Sequence, residues 1–117
     1  MPVKLKKRTI FWFLISQLVL VAIICLIPIP EKATPDINNF DKVIHLSVYI
    51  WLSWLAGHCL NSFKTITLLI VYGLAIELIQ PMTGYRSFEF YDILANSSGV
   101  LLGHYLFKFL KIPLLQE

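Results

Sequence analysis

Seven polar residues in an otherwise apolar sequence are spaced as a site would need them. Glu77 and Gln80 stand three apart, and Asp92 and Asn96 four apart. Either spacing puts a pair on one face of a helix. Asp41 and His45 form a third pair four apart, and Arg86 lies between the Glu77–Gln80 and Asp92–Asn96 pairs. An imidazole flanked by carboxylates is the equipment of general acid/base chemistry, and a guanidinium can stabilise developing negative charge. The same groups could instead bind a ligand without changing it. The acids favour a cation or an amine, whereas Arg86 and helix N-termini favour a phosphate or carboxylate, and the sequence leaves the sign open. Asp41, His45, Glu77 and Asp92 could hold a divalent ion, but no dense metal-ligand motif such as H-E-x-x-H occurs, so neither a metal nor a cofactor is the leading expectation. No serine elbow or other activated nucleophile is evident, so any hydrolysis would use water.

These residues must be positioned by apolar segments. Hydrophobic residues make up 57% of the 117, too many for a water-soluble domain of this length. Four apolar runs, Thr9 to Ile29, Val43 to Leu60, Thr65 to Gln80 and Ile93 to Leu110, approach the roughly 17–25 residues of a bilayer-crossing helix. The chain reads as an all-α membrane protein, one domain over 1–117 with four transmembrane helices at about 9–29, 43–60, 65–80 and 93–110. Lys4, Lys6, Lys7, Arg8, Lys64, Lys108 and Lys111 fall at one side of these spans. Glu31, Asp36, Asp41, Glu89 and Asp92 outnumber Lys32, Lys42 and Arg86 at the other. The bias of basic residues to the inner side predicts both termini in the cytoplasm. At about 1.5 Å of rise per residue, His45, Glu77 and Asn96 come to matching depth near the extracytoplasmic surface. That predicts a polar cluster at the outer end, either a partly wet pocket or a clasp in which Lys42 and Arg86 neutralise the acids.

The net charge of +3 does not require nucleic acid, because basic side chains anchoring at a membrane surface account for it. The apolar run after the basic N-terminus exceeds a signal-peptide core and lacks a small-x-small cleavage site, so it reads as a retained span. Cys25 and Cys59 fall at opposite ends of their spans, too far apart for a disulfide. Pro28 and Pro30 end the first span, and Pro81 stops the third. Asp41 reads as an N-cap, and the fourth span as starting at Asp92. Tyr49 continues the face of His45. Gly73, Gly99 and Gly103 mark helix contacts, and the Gly99–Gly103 strip could serve an oligomer. His58 reads as a surface residue at headgroup depth, His104 as hydrogen-bonded to a neighbouring helix. Phe40-Asp41-x-x-x-His45 faintly echoes Tyr91-Asp92-x-x-x-Asn96, as two parallel half-repeats would.

The ordered set Asp41-Lys42-x-x-His45, Gly73-x-x-x-Glu77-x-x-Gln80, Gly84-x-Arg86 and Asp92-x-x-x-Asn96-x-x-Gly99 resembles the VanZ-like family of small bacterial membrane proteins. The likeness covers residues 41–103. It implies a multi-pass protein of the bacterial cytoplasmic membrane and a link to low-level resistance to the glycopeptide teicoplanin. The leading expectation is a non-enzymatic protein that binds a membrane lipid, a lipid-linked envelope precursor or a glycopeptide. Asp41, His45, Glu77, Gln80, Arg86, Asp92 and Asn96 would form the ligand site, and Tyr49, Phe88, Phe90 and Tyr91 would meet sugars or acyl chains. The alternative is an intramembrane hydrolase or transferase with His45 as acid/base, oriented by Asp41 or Glu77. A transporter or proton relay ranks third, because the polar groups stop short of the cytoplasmic side.

Overall fold

A computed structural model describes residues 6–27, 40–84 and 88–110, with the side chains of Phe40 and Asp41 left aside. Four helices carry almost all of it: α1 (Lys7–Leu26), α2 (Phe40–Gly57), α3 (Ser62–Ile79) and α4 (Phe90–Leu110), with a 3-10 turn at Gln80–Thr83. The architecture is all-α. Two stretches, Lys7–Leu26 and Ser62–Thr83, are long and apolar enough to cross a membrane. Helices α2 and α4 are of similar length, 18 and 21 residues, but carry the polar residues of the candidate site.

Local sequence sets the helix ends. Asn61 caps α3, its side chain accepting from the backbone N–H of Lys64 at 2.8 Å, which satisfies one of the donors a helix start leaves open. Pro81 lacks an N–H and cannot continue the α-helical ladder. It does not simply stop α3, as the sequence suggested, but tightens it into the 3-10 turn. Gly84 then reverses the chain at φ 85°, a conformation that favours glycine. Helix α2 begins at Phe40, so Asp41 lies inside its first turn and not at the cap. Helix α4 begins at Phe90, two residues before Asp92.

Pairwise contacts fix the directions. Asn96 meets His45, Gly99 meets Leu46 and Tyr49, and Gly103 meets Ile50 and Ser53. Residue numbers rise together along α2 and α4, so the two run parallel. Tyr49 lies against Gly73, and a ligating atom of His45 lies close to one of Glu77, so α3 runs opposite to α2. Tyr72 bonds the Leu18 carbonyl and Gln80 the Cys25 carbonyl, which aligns α1 with α3. The bundle is therefore up-down-up-down. The start of α1 and the end of α4 share one end, and His45, Glu77 and Asp92 share the other.

The α2–α4 pair is the most extensive contact in the bundle, and glycine permits it. A Cβ on Gly103 would lie 2.3 Å from the Ile50 carbonyl oxygen, and one on Gly99 2.7 Å from that of Leu46. Both glycines thus face α2 within the chain. Ser53, fully buried, closes the same seam by donating to the Val100 carbonyl at 2.6 Å.

Exposure is inverted relative to a water-soluble bundle. Glu77, Thr65 and Ser53 are completely buried, while Trp12, Val71, Leu78, Leu101 and Phe109 face outward on α1, α3 and α4. Large contiguous apolar surface of this kind marks contact with lipid or protein. Cys25 and Cys59 are not joined in a disulfide, as their placement in the sequence implied.

Because backbone, not a side-chain tip, blocks growth at Gly103, Gly103→Val should force α2 and α4 apart and cost about 1–3 kcal/mol, the range for overpacking. Thermal unfolding of the purified protein in detergent should show a clearly lowered midpoint. Leu101→Ala on the outward face of the same helix should leave the midpoint nearly unchanged.

Candidate functional site

The shared end of α2, α3 and α4 is where polar side chains gather. Helical rise brings Lys42 and His45 to one face of α2 and Asp92 and Asn96 to one face of α4, and the glycine seam presses the two faces together. His45 Nδ1 and Asn96 Oδ1 are 2.8 Å apart. The amide oxygen can only accept, so Nδ1 donates and carries a proton whatever the charge on the ring. The other ring nitrogen, Nε2, faces Asp92 Oδ2 at 3.8 Å. Asp92 turns its second oxygen to Lys42 Nζ at 2.8 Å, and Lys42 also pairs with Glu89 at the rim.

Glu77 reaches into this group from α3. It is fully buried, and among the described residues neither of its oxygens has a hydrogen-bond partner. The Glu89 backbone amide and the Lys42 ammonium nonetheless act on it favourably, while the Asp92 and Glu89 carboxylates add repulsion. One nitrogen of His45 and one oxygen each of Glu77 and Asp92 all lie within 4.8 Å of one another. Asn96 Nδ2, also buried, is likewise without a partner among the described residues. Gly73 makes room for it, since a Cβ there would approach Nδ2 to 3.3 Å and the Tyr49 ring to 3.2 Å. Tyr49 is itself buried and forms the floor of the cluster.

Of the residues singled out in the sequence, His45, Glu77, Asp92 and Asn96 come together. Gln80 does not join them. The 3-10 turn sends its side chain to α1, where Nε2 donates to the Cys25 carbonyl at 3.0 Å. Arg86 and the side chain of Asp41 lie outside the described residues. Of the expected clasp, Lys42 pairs with Asp92 and acts on Glu77 from nearby. Lys42 joins the cluster, as the clasp in the sequence reading anticipated, and brings with it Glu89, which that reading counted only among the outer acids.

At the far end, His58 is buried and not at the surface. Its Nδ1 lies 2.9 Å from the Trp54 carbonyl oxygen, and its ring sits between those of Trp54 and Phe107. His104 is buried as well, but neither ring nitrogen is hydrogen-bonded among the described residues. The expected bond to a neighbouring helix is replaced by ring contact with Phe107.

Beside the cluster, α1 and α2 enclose an apolar groove of about 190 Å³. Val21 and Ile24 form one wall, Ile44 and Val48 the other, and His45 lines it where it meets the polar group. The imidazole therefore stands between a buried polar site and an apolar channel.

The family model described as VanZ/LLP1 matches residues 3–111. The chain belongs to the VanZ/LLP1 family. The match takes in α1 and the approach to it, and so extends well beyond the 41–103 region that holds the ordered polar motifs. Searches of curated proteins and of solved structures returned no match. Within this VanZ/LLP1 chain, the two apolar helices and the outward-facing side chains agree with membrane residence.

The Lys42–Asp92 pair is open to a direct check. Removing the ammonium leaves a buried carboxylate beside Glu77, so Lys42→Ala should cost about 3 kcal/mol, the lower edge for breaking a buried pair. A double-mutant cycle with Asp92→Asn, read by thermal unfolding, should recover most of that loss.

Proposed function

We propose that this VanZ/LLP1 protein resides in the bacterial cytoplasmic membrane with all four helices as spans, both termini inside, and the polar cluster toward the outer leaflet. Lys7, Arg8, Lys64 and Lys108 at the opposite end from Glu77, Glu89 and Asp92 support that orientation through the inner-side bias of basic residues. In it, the protein binds an amphiphilic envelope molecule without changing it. The polar head enters the cluster and the alkyl chain follows the groove between α1 and α2.

The observation that carries this reading is the position of His45, a member of the buried cluster and a wall of the apolar groove at once. A ligand occupying both spaces must be polar at one end and apolar at the other. Its head should be rich in O–H and N–H donors, because Glu77 presents two acceptors with no donor among the described residues. Sugar- and peptide-bearing lipid-linked precursors have that character, and so do acylated glycopeptides such as teicoplanin. Phe88, Phe90 and Tyr91 are exposed at the rim and supply stacking surfaces for such a head. Involvement in glycopeptide resistance follows as sequestration or presentation of that molecule.

A second reading is favoured by the imidazole itself. With Nδ1 held by Asn96 and Nε2 turned to the Asp92 carboxylate, His45 is placed for proton transfer in hydrolysis or group transfer on the same lipid-linked substrate.

Purified protein in detergent, titrated with a lipid-linked disaccharide-peptide and with teicoplanin, should bind at least one of them. Val48→Trp, which fills the groove, and His45→Ala should each weaken binding about tenfold, near 1.4 kcal/mol, while Leu101→Ala should not. Binding indifferent to both site variants would refute the reading. Conversion of the substrate by wild type, lost in His45→Ala, would select the second one.

A further inference from the structure

We propose that His45, Glu77 and Asp92 bind a divalent transition-metal ion, of the Zn²⁺ or Mn²⁺ kind, at the outer end of the bundle. The ion shares residues with the proposed head-group site but does not depend on that reading.

The donor geometry comes first. One imidazole nitrogen and two carboxylate oxygens, from α2, α3 and α4 respectively, lie within 4.8 Å of one another. Ions of this class hold nitrogen and oxygen donors at about 2.0–2.2 Å in a tetrahedral arrangement, so donors sharing one ion stand about 3.3–3.6 Å apart. Rotation of the two carboxylates toward the imidazole would close the difference. Three protein donors leave coordination positions for water or an incoming ligand, the pattern of an open site.

The surroundings are those a metal ligand needs. Histidines that ligate metals usually donate their second N–H to an oxygen, which fixes the tautomer and aims the lone pair. Asn96 Oδ1 accepts from Nδ1 at 2.8 Å, which turns Nε2 toward Asp92 Oδ2. Asp92 is oriented in the same way, with Lys42 on its other oxygen at 2.8 Å. Both partners therefore hold a ligand while leaving its inward atom open.

Glu77 supplies an independent observation. It is completely buried, and both of its oxygens are without a hydrogen-bond partner among the described residues. A carboxylate removed from water stays ionised only when paired, hydrogen-bonded or coordinated, and otherwise takes up a proton. A divalent ion meets that need and offsets the repulsion from Asp92 in one step. The mixed set of one imidazole and two carboxylates favours Zn²⁺ or Mn²⁺ over Ca²⁺ or Mg²⁺, which take oxygen donors. No contiguous motif announces the site because each donor sits on a different helix.

The test is metal content and spectroscopy on the full chain, purified in detergent with a tag free of histidine, stripped with chelator and reloaded. Wild type should retain about one equivalent of Zn²⁺ or Mn²⁺ after gel filtration, and Co²⁺ loading should give d–d bands of an N/O site. Glu77→Gln and His45→Gln should lose the ion, and Asn96→Ala, which removes only the orienting acceptor, should weaken it about tenfold. Helical circular dichroism and elution position report whether each variant is folded. Should a variant fail to fold, nitrogen hyperfine coupling in the Mn²⁺-loaded wild type reports the imidazole ligand directly. Folded wild type that retains neither ion would overturn the proposal, as would unchanged stoichiometry in folded Glu77→Gln and His45→Gln. A protonated His45 neutralising both acids without metal would produce the first of those results. Lipid or glycopeptide titration of metal-free and loaded protein separates this outcome from failure of head-group binding.

Discussion

A carboxylate that is completely buried yet lacks a partner among the described residues sets the terms for the rest of this structure. Glu77 sits on the face of α3 that meets α2 and α4, and desolvating its charge costs far more than any single apolar contact returns. Everything near it reads as partial compensation. Lys42 holds Asp92, Asn96 holds His45, and Gly73 clears space so that the amide can sit beside Tyr49. Lys42 and the Glu89 backbone act on Glu77 from nearby, but neither of its oxygens has a close hydrogen-bond partner among the described residues, which leaves the group ready to accept something from outside the fold.

The bundle is built so that this burial is possible. Parallel helices α2 and α4 meet along a seam so close that only glycine fits at Gly99 and Gly103. Ser53 is bonded across the seam to the Val100 carbonyl. The seam brings residues offset by about fifty positions into register, so His45 faces Asn96, its counterpart in the faint internal echo. Helix α3 then covers the open end with Glu77, and α1 adds the apolar wall that turns the flank of the site into a groove. Packing, polar partnership and the route for an alkyl chain thus derive from one close contact.

Much of this arrangement is legible in the sequence because a helix converts position into height and direction. Four residues from Asp41 to His45, from Glu77 to Pro81 and from Asp92 to Asn96 amount to about the same rise, which is why three helices can put polar groups at one level. What spacing does not encode is rotation at a helix end. Pro81 tightens the chain into a 3-10 turn, and Gln80 swings to Cys25 on α1 as a result. Partner choice is equally hidden: Lys42 could have served Glu77 or Asp92, and only tertiary geometry selects Asp92. His58 and His104 misled for a related reason. Position near a helix terminus suggested a surface or a hydrogen bond, whereas the aromatic ring of Phe107 packs against both.

The central claim is that an imidazole and two acids from separate helices meet in the interior of the bundle. Solid-state NMR on protein in bilayers, with ¹⁵N-labelled histidine and ¹³C-labelled glutamate carboxyls, measures that meeting directly by dipolar recoupling. Strong dephasing between His45 and Glu77 is predicted, as ligating atoms within 4.8 Å require, and it should vanish in Glu77→Gln prepared from the same labelled precursors. Absence of dephasing in folded wild type would place the two side chains on separate surfaces and contradict the account.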